Sequence, residues 1–225
     1  MSEKDGFQEA QRDLRGLTAA VEKKALLWLA ARMPAGVNSD HLTALGLLAM
    51  LLAGIFYALS GRASWLLHLV NLALVVNWFG DSLDGTLARV RNRSRPRYGF
   101  YVDHLVDAFG ALFLLAGLAL SGLMSERVAA ALLIVYYLLS INIYLSTYAL
   151  GVFKISFGAL GGTELRILLI LGNLIVLRIP QVTIGGESYR LFDVAGGLSA
   201  IVLAIVTIRS AFQVTRRLYE MERLP

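Results

Sequence analysis

The chain has 225 residues, 57% of them hydrophobic, a formal net charge of +5 at pH 7 and a mean hydropathy of +0.64. Soluble domains average about 45–50% apolar residues, so this composition excludes an ordinary soluble domain and favours a membrane protein. The absence of cysteine excludes disulfides and thiolate metal sites. In a membrane protein, a positive net charge is typical of loops near lipid headgroups, so we expect membrane lipids and no nucleic acid as partners.

Residues 1–37 are predicted to form a separate cytoplasmic element. They lack the short apolar stretch and the cleavage site of a signal peptide. Apolar residues recur at helical spacing at Phe7, Ala10, Leu14, Leu17, Val21, Ala25 and Trp28. This pattern predicts an amphipathic helix over residues 7–32 that lies on the membrane interface, with a soluble helix packed on the membrane domain as the alternative. Residues 38–225 then form the membrane domain.

Six later stretches approach the roughly 20 apolar residues that a membrane-spanning helix needs. They cover about residues 42–60, 64–88, 99–123, 128–150, 164–179 and 191–212. The fifth stretch is short and carries Arg166 near its start. The pattern predicts an all-α integral membrane protein with six transmembrane helices plus the N-terminal interfacial helix. Between the last two stretches, Gly185 and Gly186 separate two short apolar pieces and predict a small hairpin.

The distribution of Lys and Arg predicts the orientation of these helices. With six spans, one side of the membrane carries 17 of the 21 basic residues and the other side carries 4. Basic residues are enriched on the cytoplasmic side of membrane proteins. We therefore expect both termini on the cytoplasmic side, and the inner membrane of the cell is the expected location.

Four aspartates stand where a membrane helix should be apolar. Asp81 and Asp84 are three residues apart near the end of the second stretch, so they share a helix face. Asp103 and Asp107 are four residues apart near the start of the third stretch and share a face in the same way. A short basic loop joins the two helices, so they are predicted to be antiparallel neighbours with all four carboxylates at a similar depth near the cytoplasmic face.

A buried carboxylate costs about 2.5 kcal/mol or more at the centre of a membrane helix, and less near the interface. Close carboxylates also repel one another. A hard divalent cation such as Mg²⁺ relieves both problems, and four carboxylates provide enough ligands for two ions. The alternatives are aspartates that line a pore or pair with nearby arginines, as in a non-enzymatic cation or proton transporter.

The spacing of these aspartates resembles the signature of the CDP-alcohol phosphotransferase family. Eight positions over 27 residues agree with it, namely Asp81, Asp84, Gly85, Ala88, Arg89, Gly99, Asp103 and Asp107. The six-span topology and the interfacial helix also resemble that family. A transporter has no need for a glycine, an alanine and an arginine at these spacings, which favours the enzyme.

The resemblance implies a role for each residue of the signature. Asp81, Asp84 and Asp103 would bind metal, and Asp107 would bind metal or act as the catalytic base. The CDP-alcohol would be bound by Asp84, Gly85, Ala88, Arg89 and Gly99. Gly85 and Ala88 would leave room for the cytidine, Arg89 would hold the diphosphate, and Gly99 would keep the two helices close to the nucleotide. The implied cofactor is Mg²⁺ or Mn²⁺, with two ions bound.

The implied reaction moves a phospho-alcohol group, expected to be phosphatidyl, from a CDP-alcohol such as CDP-diacylglycerol to a small polar acceptor. A family member that joins a CDP-linked headgroup to a lipid alcohol would have the same signature and is the alternative. CMP is released, and the product belongs to phospholipid biosynthesis. Homodimers are frequent in this family. Glycerol phosphate, inositol phosphate, serine and inositol-type alcohols all fit as acceptors. Lys154 and Arg166 lie on the catalytic side of the predicted fold and favour a phosphorylated polyol, with cations that snorkel from helix ends as the alternative.

Several further residues are candidates for contact with the site. Glu164 is a candidate ligand for an acceptor hydroxyl, and Thr163 is a candidate helix cap. Residues 38–43 open the first span in the manner of a helix start. Asn and Thr at similar positions in the family that the chain resembles imply that this segment contacts the site. The polar residues near the end of the fourth span are expected to line the cavity; they are Asn142, Ser146 and Tyr148.

Overall fold

The computed structural model describes residues 19–150 and 161–223 of the chain. Within these ranges it is almost entirely helical, with one small β-hairpin. The helices are α1 Ala19–Arg32, α2 Ser39–Ser60, α3 Leu66–Val90, α4 Pro96–Ser121, α5 Glu126–Leu150, α6 Gly162–Val176 and α7 Leu191–Met221. The strands are β1 Gln181–Ile184 and β2 Glu187–Arg190. Each of the six predicted spans therefore coincides with a helix, which confirms the all-α class.

Five helices are long and apolar enough to cross a membrane by length and composition, namely α2, α3, α4, α5 and α7. They indicate an integral membrane protein. The helix α6 has 15 residues, which at 1.5 Å per residue is about 22 Å, shorter than the roughly 30 Å of a bilayer core. The predicted count of six spans is therefore not established by helix length.

Side-chain contacts show which way α5 and α7 run. At one end, the backbone N–H of Ser125 donates to Asp193 Oδ1 at 2.6 Å. Farther along both helices, Asn142 Nδ2 donates to Ser210 Oγ at 2.8 Å. The spacing from Ser125 to Asn142 equals the spacing from Asp193 to Ser210, and both run in the direction of increasing residue number. The helices α5 and α7 are therefore parallel. The chain between them must return to its starting level, and α6 lies in that return.

Polar contacts also orient α6 against α3. Its first turns reach Asp81 through Arg166, whereas its last turns reach Asn71, because Asn173 Nδ2 donates to Asn71 Oδ1 at 2.7 Å. Tyr57 of α2 donates from its hydroxyl to Asn173 Oδ1 at 2.7 Å. Tyr57 and Asn173 are both fully buried, so this network fixes α6 to α2 and α3 where water cannot compete.

The centre of the bundle is made by α2 packing on both α3 and α4. Two helix crossings require glycine. A Cβ on Gly117 would lie 2.1 Å from the carbonyl oxygen of Gly54, and a Cβ on Gly80 would lie 2.5 Å from the carbonyl oxygen of Leu42. Small residues at such crossings let helix backbones approach closely. The second crossing lies directly before Asp81 and holds the start of α2 against the aspartates of α3.

The helix α1 packs on the membrane domain through a face that the sequence pattern did not single out. Leu26 and Ala30 are buried against residues of α2 and α3, including Leu83. Trp28 from the predicted apolar stripe is 57% exposed. The described half of the predicted helix therefore has one face against the protein and a second apolar face outside. The first half of the prediction, including Phe7 and Leu14, lies outside the described residues.

The small hairpin is confirmed. Gln181 pairs with Arg190 and Ile184 pairs with Glu187 in an antiparallel register. Gly185 and Gly186 form the turn with φ values of 62° and 91°. Two consecutive positive φ angles suit a two-residue hairpin turn and favour glycine. The hairpin joins α6 to α7 at the end of the bundle away from the aspartates.

Candidate active site

The signature aspartates lie at one end of the bundle, on α3 and α4. Asp81 and Asp84 are on α3, about two helical turns before it ends at Val90. Asp103 is about two turns into α4, which begins at Pro96. Asp84 is close enough to Asp81 and Asp103 for their negative charges to act on it. The structure thus brings carboxylates of the two helices together near the loop that joins them.

Asp84 is the most buried of these carboxylates and is held by the start of α2. Thr43 Oγ1 donates to Asp84 Oδ2 at 2.6 Å, and Ser39 Oγ donates to the backbone carbonyl of Asp84 at 2.9 Å. The backbone N–H of Gly85 donates to the other carboxylate oxygen. Asn38 caps the helix by accepting from the N–H of His41 at 2.9 Å. The expectation that residues 38–43 contact the site is confirmed.

Asp81 pairs with the arginine predicted for the acceptor. Arg166 Nη2 donates to Asp81 Oδ2 at 2.6 Å, and Arg166 Nε donates to Asn77 Oδ1 at 2.7 Å. Asn77 in turn donates from Nδ2 to the carbonyl of Gly46 on α2 at 3.0 Å. A planar guanidinium that uses two of its N–H groups in this way is held in one orientation. Arg166 is therefore part of the aspartate cluster.

The donor set of the cluster fits a hard divalent cation, because carboxylate oxygens are the ligands that Mg²⁺ and Mn²⁺ prefer. Within residues 19–150 and 161–223, however, no three Asp, Glu or His side chains already converge on one point. Asp81 is turned to Arg166 and Asp84 to Thr43. Convergence of three carboxylates on one ion would therefore need rotation of these side chains.

The other signature residues lie on the same end of the molecule. A Cβ on Gly85 would lie 3.5 Å from Arg89 Nη1, so the arginine side chain folds back over this glycine. Arg89 Nη2 also donates to Thr86 Oγ1 at 3.2 Å. A Cβ on Gly99 would meet no heavy atom of the described residues within 4 Å. Gly99 therefore leaves open space rather than serving a tight helix contact.

The basic loop after Arg89 has a structural use that the sequence did not reveal. Arg91 donates to the carbonyl oxygens of Met33, Pro34 and Val37, which join α1 to α2. Arg95 pairs with Asp40 at the first turn of α2. A guanidinium has five N–H donors and can hold several carbonyls at once. Arg91 therefore holds the α1–α2 linker, and Arg95 holds the first turn of α2, at the aspartate end of the bundle.

One polar face of α5 was missed by the sequence analysis. Tyr136 and Tyr144 are both near enough to Asp107 for electrostatic interaction. Ser140 lies between them on the helix and donates to the backbone carbonyl of Tyr136 at 3.0 Å. The Tyr144 ring packs edge-on to the His104 ring, with centroids 4.9 Å apart. The three α5 residues recur every fourth position and so share a helix face. That spacing was visible in the sequence, but nothing there showed that the face meets α4.

The surroundings of three polar residues near the end of α5 do not support the prediction that they line the cavity. Asn142 donates to Ser210 of α7, as noted above, and Ser146 donates from Oγ to the carbonyl of Ile143 within α5. Tyr148 is 90% exposed. One of these polar residues therefore contacts another helix, one bonds within its own helix and one is exposed. Composition alone does not distinguish these three situations.

Three predicted residues lie at or before the start of α6. Glu164 is buried and accepts from the N–H of Gly161 at 2.9 Å, so part of its role is to cap the helix. Thr163 is not the cap as predicted, because Gly161 occupies that position and the Thr163 hydroxyl donates to Glu22 at 2.7 Å. Lys154 lies outside the described residues.

Comparison with known proteins adds an independent observation. The chain is similar to the archaetidylinositol phosphate synthase of Pyrococcus horikoshii, with 32% identity over 105 residues, or 47% of this chain. That alignment spans 53% of the relative, so the chain covers about half of its length. The model of the CDP-alcohol phosphatidyltransferase family matches residues 37–208, which include the whole aspartate signature. The chain therefore belongs to the CDP-alcohol phosphatidyltransferase family.

Proposed function

We propose that the protein transfers a phospho-alcohol group from a CDP-alcohol to an acceptor hydroxyl and releases CMP, with divalent metal bound by the aspartates. The observation that carries this proposal is the aspartate cluster of α3 and α4 in a chain that belongs to this family. Asp81, Asp84, Asp103 and Asp107 would hold Mg²⁺ or Mn²⁺, expected as two ions. When bound, the metal neutralises the diphosphate and stabilises the leaving phosphate.

The remaining chemistry is assigned to residues of the chain. The acceptor oxygen attacks the phosphorus that carries the alcohol, the bond from this phosphorus to the bridging oxygen breaks, and CMP leaves with that oxygen. Asp107 takes the proton of the acceptor hydroxyl, either directly or while bound to metal. Arg89 is exposed at the end of α3 and suits the diphosphate, because its planar fork matches phosphate oxygens. Gly85 and Ala88 would leave room for the cytidine.

We propose CDP-diacylglycerol or a related CDP-lipid as the donor and a phosphorylated polyol as the acceptor. Arg166 supports this acceptor class, since it places a guanidinium beside Asp81. The name of the Pyrococcus relative, an archaetidylinositol phosphate synthase, describes a phosphorylated inositol lipid and agrees with the same class. The hydroxyls of Tyr136 and Tyr144 near Asp107 are suited to bind hydroxyls of such an acceptor. Lys154 and Glu164 remain candidate acceptor ligands.

We also propose that the domain has six crossings, with α6 as a short fifth one. The parallel course of α5 and α7 and the opposite course of α6 relative to α3 support this count. An even number of crossings puts both termini on the same side of the membrane. The aspartates lie on that side as well, because the loop between α3 and α4 follows the second crossing. The excess of basic residues there supports the cytoplasmic side. In this arrangement α1 lies on the cytoplasmic interface, and its exposed Trp28 faces the headgroup region.

The test is CMP release by the purified protein in detergent or lipid nanodiscs. CDP-diacylglycerol is the first donor, and the acceptors are inositol phosphate, glycerol phosphate, inositol and serine, each with Mg²⁺ or EDTA. Release that needs both Mg²⁺ and one acceptor, and that is lost in Asp107→Asn, is the expected result. The acceptor that supports release identifies the substrate class.

Other outcomes separate the alternatives. Release with unphosphorylated acceptors alone would overturn the phosphorylated-polyol proposal and keep the reaction class. Absence of release with CDP-lipids and with soluble CDP-alcohol donors, together with cation uptake into proteoliposomes that depends on Asp81, would establish the transporter instead. The edge position of the aspartates favours the enzyme, since transporter sites are usually near mid-membrane.

A further inference from the structure

We propose that Glu22 of α1 is a positioning residue of this enzyme, which holds the first turn of α6 on α3 so that Arg166 is placed at Asp81. The inference rests on the proposed function, because it concerns the geometry of the same site. It assigns to the N-terminal helix a role in the reaction beyond its position at the membrane interface.

A single oxygen of Glu22 joins the two helices. Glu22 Oε1 accepts a hydrogen bond from Trp78 Nε1 of α3 at 2.8 Å and another from Thr163 Oγ1 of α6 at 2.7 Å. All three residues are partly buried. Hydrogen bonds to a carboxylate are stronger than those between neutral groups, and partial burial limits competition from water. The Glu22 carboxylate therefore sets the distance between α6 and α3 at this level.

The Glu22 bridge lies close, along both helices, to the ion pair between Arg166 and Asp81. Trp78 is three residues before Asp81, and Thr163 is three residues before Arg166. Residues three apart lie on the same side of a helix. Because α6 runs opposite to α3, Trp78 and Thr163 lie on opposite sides of the ion pair along the helix axes, so the Glu22 bridge and the ion pair brace the same stretch of the two helices. The three contacts form a closed ring through α1, α3 and α6. Movement of the first turn of α6 would then shift the guanidinium relative to Asp81.

Packing of α1 on the rest of the bundle holds Glu22 in place. Leu26 and Ala30 are buried one and two turns after Glu22, against the same helix that carries Trp78. Arg91 holds the end of α1 through the carbonyl of Met33. Glu22 therefore projects from a helix that is fixed at several points, as a positioning group requires.

The experiment compares two matched pairs of variants in the CMP-release assay. Glu22→Ala and Thr163→Val remove the bridge, whereas Glu22→Gln and Thr163→Ser keep an acceptor or a donor of similar size at each position. We expect the first pair to lower kcat/KM about tenfold, the effect of one lost charge-assisted hydrogen bond, and the second pair to stay within about threefold. Hydrogen–deuterium exchange of residues 162–166 should increase in the first pair alone.

A cycle with Arg166 distinguishes positioning from a general loss of stability. If Glu22 acts through Arg166, Glu22→Ala should have little further effect in an Arg166→Gln background. Additive losses in the double variant would overturn the inference, as would an active Glu22→Ala protein whose first turn of α6 exchanges faster. If the wild-type protein releases no CMP with any donor, the proposed function has failed, and the exchange data still report whether the bridge exists. Thr163→Val keeps the inference testable if Glu22→Ala does not fold.

Discussion

Arg166 of α6 donates to Asp81 of α3 across 2.6 Å, and the two side chains are 16% and 26% exposed. This pair joins a residue of the proposed acceptor site to a residue of the proposed metal site. A cation that bound Asp81 would compete with Arg166 for this carboxylate.

The competition predicts the effect of Arg166→Gln on metal binding. Removal of the guanidinium frees Asp81 and removes a nearby positive charge, so the affinity for Mn²⁺ should increase. Partly exposed ion pairs contribute up to about 1 kcal/mol, which corresponds to roughly fivefold in affinity. Electron paramagnetic resonance of free Mn²⁺ measures the change directly. Arg166→Lys is the control, since it keeps the charge, and an unchanged or weaker affinity in Arg166→Gln would contradict the competition.

Thr43 offers a second test, because its hydroxyl donates to the buried carboxylate of Asp84 at 2.6 Å. Thr43→Val has nearly the same shape but no donor, so it leaves the carboxylate less well held. Hydrogen bonds to charged groups contribute about 1.5–3 kcal/mol, so kcat/KM should fall roughly ten- to a hundredfold. Thr43→Ser keeps the hydroxyl and should stay close to wild type. Equal losses in both variants would assign the effect to packing of the threonine methyl group.

The tyrosine face of α5 predicts a difference between two hydroxyls. Tyr144 lies near Asp103 and Asp107, whereas Tyr148 is 90% exposed on the same helix. If Tyr144 binds the acceptor, Tyr144→Phe should raise the acceptor KM about fivefold, the effect of one neutral hydrogen bond of about 1 kcal/mol. Tyr148→Phe is the matched control and should leave KM unchanged. A change in KM for the CDP-lipid instead would place Tyr144 in the donor site.

Helix packing predicts a stability effect at Gly117. Alanine there would bring a Cβ to 2.1 Å from the carbonyl oxygen of Gly54, so α2 and α4 must move apart. Overpacking of this kind costs about 1–3 kcal/mol. Gly197→Ala is the control, because a Cβ there meets no heavy atom of the described residues within 4 Å. Thermal unfolding in detergent should show a lower midpoint for Gly117→Ala alone, and equal midpoints would contradict the close crossing.

The proposed orientation can be tested by labelling, since the chain has no cysteine. Ser94→Cys is in the loop between α3 and α4, and Ser188→Cys is in β2 of the hairpin. A membrane-impermeant maleimide should label the second variant in intact cells and the first one in inverted vesicles. Labelling of both variants from the same side would contradict six crossings with the aspartates on the cytoplasmic side.

The sequence by itself determined the all-α class, the approximate limits of the apolar helices, the hairpin turn and the positions of the signature residues along α3 and α4. These features depend on local periodicity. Apolar length predicts a membrane helix, and a spacing of three or four residues puts Asp81 and Asp84 on one face whatever surrounds them. The cap at Asn38 and the glycine turn of the hairpin are local in the same way.

The tertiary structure alone decided which helices meet around the aspartates. Arg166 is 85 residues from Asp81 in sequence, and Thr163 is 141 residues from Glu22. No local pattern relates such residues, because their proximity depends on how helices pack and on where small residues allow close approach. For the same reason, the sequence pattern assigned Trp28 to the main apolar face of α1, whereas packing on α3 buries Leu26 and Ala30. Local sequence pattern placed the signature residues on their helices, and helix packing specified their partners.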